Sequence, residues 1–149
     1  MVQVEKSVVI NRPIEEVFAF VTNPENITMW AGPVKEARQT SEGPVGIGMT
    51  SIRITEFLGR KSEDSYVVTE YEPNRKFAQK ATSGSLQTTE IMTFKSVEAG
   101  TKVTIAGEVE ASGFIKMAEP VFARVAKRQF ETDMSNLKDI LEAQVEVIA

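Results

Sequence analysis

The chain has 149 residues and a net charge of -4, from 17 Lys and Arg against 21 Asp and Glu, with no cysteine and no histidine. That composition excludes disulfides, thiolate or imidazole metal sites, cysteine nucleophiles and histidine-dependent acid/base chemistry, so no metal and no cofactor is expected. No basic cluster interleaved with aromatics is present, which argues against nucleic acid or an anionic membrane surface as the main partner.

The length suits one domain over 1–149 with a real hydrophobic core. The opening, MVQVEKSVVI, is a short apolar run broken by charge. It predicts neither a signal peptide nor a spanning helix, and the expectation is a cytoplasmic protein with no stable membrane insertion. Val2, Val4, Val8, Val9 and Ile10 instead make a β-rich first strand. Asn11 or Arg12 then precedes Pro13, and acidic residues follow in the first turn, which together start a short helix. Ile14, Val17, Phe18 and Val21 recur at helical spacing until Asn23-Pro24 stops it. A second short helix follows from Pro24 to Trp30, with Asn23 as its cap, and ends before Gly32-Pro33.

From Val34 the pattern turns to strands. Val34–Ser41, Met49–Leu58, Ser62–Glu72, Lys76–Ser83, Leu86–Val97 and Thr101–Ala111 are joined by turns rich in Gly, Pro and Asn. The loop from Glu42 to Gly48 carries three glycines, but GPVGIG lacks the lysine and the following serine or threonine of a phosphate cradle. Turns this short require antiparallel neighbours, since parallel pairs need a long crossover. The chain closes with a long amphipathic helix, Met117 to Val145. Phe122, Val125, Ala126, Phe130, Met134, Leu137, Ile140 and Leu141 occupy one half of its circumference, and Arg124, Lys127, Arg128, Glu131, Lys138, Asp139 and Glu142 the other.

One helix covers about seven strands only if the sheet curls around it, and a curled sheet leaves space beneath the helix. The expected fold is therefore α+β. Two polar residues interrupt the dry stripe. Asp133 projects between Leu137 and Ile140, and Gln129 lies beside Phe122. Either they reach water where the helix leaves the sheet, or the helix faces a cavity whose wall carries polar groups that orient a ligand.

Trp30 either plugs the end of the core or contacts a ligand near the cavity mouth. On the sheet, Phe77, Gln79 and Ala81 share one face, and Glu90 shares strand parity with Met92 and Phe94. Glu90 either faces inward with them or reaches solvent at the strand end. The alternation of Ile52 and Ile54 against Ser51, Arg53 and Thr55 sends Arg53 outward, unless a bulge inverts the parity and lets it pair with a carboxylate. The sheet candidates for ligand contact are thus Gln79, Met92 and Phe94. Those on the long helix are Phe122, Val125, Gln129 and Asp133, with Trp30 at the mouth. Asp133 and Glu90 are the candidates for catalysis: two carboxylates in one cavity would raise the pKa of at least one of them.

Five segments, VVINRPIEEVFAFVTNPENITMW, GPVGIGM, FLGRKSEDSYVVTEYEPNRKFAQKATSG, AGTKVTIAGEVE and NLKDILE, occur in this order across nearly the whole chain. Together they resemble the START-like, or SRPBCC, helix-grip superfamily, in its branch of polyketide cyclases, dehydrases and lipid-transport proteins. The resemblance implies a curved antiparallel sheet of about seven strands around the long helix, with a pocket between them reached past the short helices and the glycine loop. It also implies binding of a small hydrophobic or amphipathic molecule, lipid-like, polyketide or aromatic, by a carrier or sensor. An alternative is a cyclase or dehydratase using a cavity carboxylate, although the histidine that enzymatic members often use is missing. A third is a protein-interaction module docking through the outer sheet face or the exposed half of the helix.

Overall fold

The structure is a computed structural model that describes residues 2–57, 59–83, 87–110 and 119–143. Seven strands build one sheet: β1 (Val2–Ile10), β2 (Val34–Gln39), β3 (Thr50–Phe57), β4 (Arg60–Glu72), β5 (Lys76–Ser83), β6 (Gln87–Val97) and β7 (Gly100–Glu110). Their spatial order is β1-β7-β6-β5-β4-β3-β2 and every pairing is antiparallel. Two short helices, α1 (Ile14–Thr22) and α2 (Ile27–Trp30), follow β1, and the long helix α3 (Glu119–Ala143) follows β7. This is the expected α+β helix-grip architecture. The outer parts of the predicted Met117–Val145 helix lie outside the described residues.

The local reasons are mostly those of the sequence, with two refinements. The first helix begins at Ile14, and Pro13 takes the cap position with no side-chain cap; its carbonyl accepts from Glu16 N and Val17 N. The stretch after Asn23 divides into a 3-10 turn, Pro24–Asn26, and the single α-turn of α2, with Asn23 Oδ1 accepting from Glu25 N at 3.1 Å. Register shifts between Val34 and Glu36, between Ser65 and Tyr66, and between Val68 and Glu70 bend the far half of the sheet.

α3 lies along β1, burying Met134, Leu137 and Leu141 against the sheet. Its polar side is tied to the same edge. Lys138 Nζ donates to Val9 O at 2.8 Å, Glu142 Oε2 accepts from Asn11 N at 2.9 Å, and Lys6 pairs with Glu131 at 2.8 Å. At the turn into β7 the backbone passes so close to the end of β1 that a Cβ on Gly100 would stand 2.1 Å from Ile10 O.

The interior is uneven along its length. Under α1 it is an aromatic cluster: Phe18 meets Phe94 edge-on at 4.9 Å and Tyr71 at 5.5 Å, and Tyr71 meets Phe77 at 6.4 Å. Toward α2 and the first half of α3 the packing opens into a cavity.

Candidate ligand cavity

The cavity, open on one side, holds about 170 Å³ between the curved sheet, α2 and α3. Much of its wall is apolar. α2 and the corner after it supply Ile27, Ala31, Pro33 and Val34; β6 and β7 supply Met92, Ile105 and Val109; α3 supplies Ala126, Phe130 and Met134. Gly107 lets α3 come this near the sheet, because a Cβ there would meet the Phe130 ring at 3.0 Å.

The polar part of the wall comes from three strands and α3: Arg53 and Thr55 on β3, Asp64 and Tyr66 on β4, Thr88 and Glu90 on β6, and Gln129 and Asp133 on α3. Arg53 points inward, not outward as its alternation with Ile52 and Ile54 predicted, and it is only 7% exposed. No bulge is responsible, since β3 and β4 pair without interruption from Thr50↔Val67 to Phe57↔Arg60. The polar face of β3 is simply the inner one, set opposite Asp64 and Tyr66, and the isoleucines lie half-buried on the outside.

Arg53 Nη1 donates to Glu90 Oε1 at 2.7 Å and Nη2 to Oε2 at 3.1 Å, while Gln79 Nε2 donates to Oε2 at 3.0 Å. The guanidinium also lies 4.2 Å from the centre of the Tyr66 ring, in cation–π contact. Of the two readings of Glu90, the structure selects the inward one. Burial alone would push its carboxyl up, but the charge and hydrogen bonds of Arg53, helped by Gln79, hold it below the ordinary carboxylate value. The same pairing outweighs burial at Arg53 and raises its pKa. Burial pushes the Tyr66 phenol up to about 12, against the opposing charge of Arg53.

Across the cavity, Asp133 is 7% exposed. Its Oδ1 accepts from Gln129 Nε2 at 2.8 Å and from Gly32 N at 3.1 Å. This ties α3 to the corner after α2, where a Cβ on Gly32 would come within 3.1 Å of Gln129 Nε2. Asp133 Oδ2 has no partner among the described residues. Burial raises the Asp133 carboxyl above its ordinary value, and the two hydrogen bonds only partly offset this. Glu90 and Asp133 therefore share a cavity, as the sequence allowed, with pKa values pushed in opposite directions. Of the two, Asp133 is the carboxylate whose proton affinity burial raises, and Glu90, locked to Arg53, is the one whose proton affinity is lowered.

The other sequence candidates divide. Trp30 and Met92 line the cavity, and Trp30 also seals its α2 end: the residue is 5% exposed and its Nε1 is buried without a hydrogen-bond partner among the described residues. Gln79 and Phe94 are buried but lie outside the cavity wall, the first behind Glu90 and the second in the aromatic core under α1. Val125 is half-buried and does not line the cavity either. The Phe122 side chain lies outside the described residues. Arg53, Asp64, Tyr66 and Gly32 are site residues that the sequence reading did not select.

Comparison with known proteins agrees with this architecture. A protein from Thermus thermophilus superposes with a TM-score of 0.82 at 15% identity, over 95% of this chain and 97% of that one. The Zhui aromatase/cyclase from a Streptomyces species superposes with a TM-score of 0.78 at 14% identity, over 96% and 94%. A START superfamily protein from Mycobacterium smegmatis does so at 0.72 and 16% identity, over 99% of both chains. At such identities the likeness shows the fold alone. No functionally curated protein matches the sequence. The profile of the polyketide cyclase/dehydrase and lipid transport family matches residues 1–142. With that match over nearly its whole length, the chain belongs to the polyketide cyclase/dehydrase and lipid transport family.

Proposed function

We propose that the protein binds a small hydrophobic or amphipathic molecule in this cavity, as a carrier or sensor, with residues 1–149 acting as a single domain. The observation that carries the reading is the partly open space of about 170 Å³ with apolar walls on both the helix and the sheet side. Side chains around such a space lack partner atoms on one face, and an apolar guest supplies them while leaving water itself. Trp30, Met92, Gln129 and Asp133 are the contacts proposed among the residues the sequence singled out.

The test is native mass spectrometry of freshly purified protein beside its denatured mass, followed by equilibrium dialysis with ethylnaphthalene as an apolar probe. A releasable mass difference or saturable one-site uptake supports the reading. A clean mass together with no saturable uptake overturns it.

One observation favours a second reading, an enzyme of the cyclase or dehydratase kind. Asp133 combines a raised pKa with an oxygen left free, as a general base requires. In that reading Asp133→Asn abolishes turnover of a bound substrate while leaving its affinity nearly unchanged. Retained turnover would remove Asp133 as the base.

A further inference from the structure

The charges in the cavity wall are unequal. Asp64, Glu90 and Asp133 are carboxylates, and Arg53 is the cation among the described lining residues. The charge of Arg53 is already matched: each of its terminal nitrogens gives a hydrogen to Glu90 and its face lies against Tyr66. Releasing it would strand Glu90 as a buried, uncompensated anion. Asp64 Oδ1 accepts from Ser62 Oγ at 2.7 Å, and Asp133 Oδ1 is doubly bonded to Gln129 and Gly32. What the charged groups of the wall leave over is acceptors, Asp133 Oδ2 and Asp64 Oδ2, neither with a partner among the described residues. The unpaired indole N–H of Trp30 does not balance them, because Nε1 is closed off at its own surface and receives no acceptor unless the ring turns.

Resting on the reading of this cavity as a binding site, we propose that its ligand carries a hydrogen-bond donor at the polar end, an alcohol, phenol or amine held by Asp133 Oδ2, and that the cavity rejects carboxylic acids. A carboxylate brought in would meet Asp64 and Asp133 with no free cation, in a low dielectric where like charges are poorly screened. A hydroxyl or ammonium instead completes the partners of a buried carboxylate. The raised pKa of Asp133 agrees with this, since burial there is uncompensated by any cation.

The test is equilibrium dialysis of the intact protein against four probes of one shape, ethylnaphthalene, naphthalenemethanol, naphthylmethylamine and naphthoate, at about pH 8, where carboxylates are ionised. The alcohol and the amine are expected to bind about tenfold more tightly than ethylnaphthalene, or about 1.4 kcal/mol. Naphthoate is expected to bind at least about tenfold more weakly than the alcohol. In Asp133→Asn the amine should lose its advantage over ethylnaphthalene and naphthoate should gain; if that variant does not fold, the wild-type ranking decides alone. Naphthoate binding as tightly as the alcohol, or ethylnaphthalene as tightly as both donors, overturns the proposal while leaving the cavity a binding site. Binding of none of the four overturns the cavity reading itself, and the proposal with it.

Discussion

Arg53 and Glu90 stand on strands that are not neighbours, β3 and β6, and meet across the concave face of the sheet through two parallel hydrogen bonds of 2.7 and 3.1 Å. Their side chains are 9% and 14% exposed, so the pair is held almost out of water. The bidentate geometry fixes both groups, and Gln79 takes up a further lone pair of Glu90. A pair of this kind organises the wall of a cavity more than it stabilises the fold.

That distinction can be measured. Glu90→Gln leaves a buried guanidinium without its counter-charge and should cost about 3–5 kcal/mol, as should Arg53→Met for the carboxylate. The double variant Arg53→Met/Glu90→Met removes both charges and should recover most of that loss. Urea denaturation of the four proteins gives the coupling energy. A double variant as unstable as the sum of the singles would show that the two residues act separately.

Acid should act on stability in two stages. The folded-state pKa of Asp133 is raised above 3.8, so the folded chain takes up this proton more readily than the unfolded chain. Its contribution is present below the unfolded value and is lost as pH rises through the folded one. The pKa of Glu90 is lowered from 4.5, so its contribution is present above the unfolded value and is lost as pH falls through the folded one. Glu131 and Glu142, hydrogen-bonded to Lys6 and Lys138, shift in the same direction as Glu90. Lowering the pH from neutral should therefore first raise stability slightly, through Asp133, and then reduce it below about pH 4, where unfolded carboxylates titrate. Urea midpoints measured against pH should show both limbs. Asp133→Asn should delete the upper limb alone, and its survival in that variant would assign it to another group.

The fold was legible because its signals were long and redundant: a helical stripe from Ala126 to Leu141, six strand patterns separated by short turns, and no second long helix to cover them. The site was less so. Period-2 reasoning put Ile52 and Ile54 inside because apolar residues usually face inward, yet here the cavity side carries the polar set. The signal that could have corrected this was hairpin register. The pairing that ends at Phe57↔Arg60 puts Arg53 opposite Asp64 and Ser51 opposite Tyr66, and residues directly opposite share a face. Asp64 shares strand parity with the buried Tyr66 and Val68, so Arg53 follows them to the inner face. Phe94 failed for a different reason. Its parity was right, but alternation gives the face of a strand and not the position along it at which the aromatic cluster under α1 gives way to the cavity.

Gly100 should tolerate no side chain. Its φ of +133° is closed to other residues, and an added Cβ would lie 2.1 Å from Ile10 O and 2.8 Å from Asn11 Cα, both in backbone that cannot swing aside. Gly100→Ala should destabilise by about 3 kcal/mol or more. Gly43, where φ is +94° but nothing stands within 4 Å of an added Cβ, should lose less on the same substitution. Thermal denaturation of the two variants compares strain with strain plus collision, and equal losses would mean that β1 moves away from the turn.

Ala126 is the position at which cavity and fold can be separated. It lines the cavity from α3, half-buried, one turn before Phe130 and two before Met134 on the same face. Ala126→Phe puts a ring into the space of about 170 Å³ without removing any charged or hydrogen-bonded wall group. If that space is where the ligand sits, the variant should lose at least about tenfold in affinity for ethylnaphthalene, a 1.4 kcal/mol effect. Its stability should hold or rise, because the new ring gains the contacts that the empty volume denied its neighbours. Dialysis and urea denaturation of the same preparation read both quantities. Unchanged affinity in a folded variant would place ligand binding elsewhere on the molecule, whereas lost stability with lost affinity would mean that the cavity cannot accept a ring in the orientation α3 imposes.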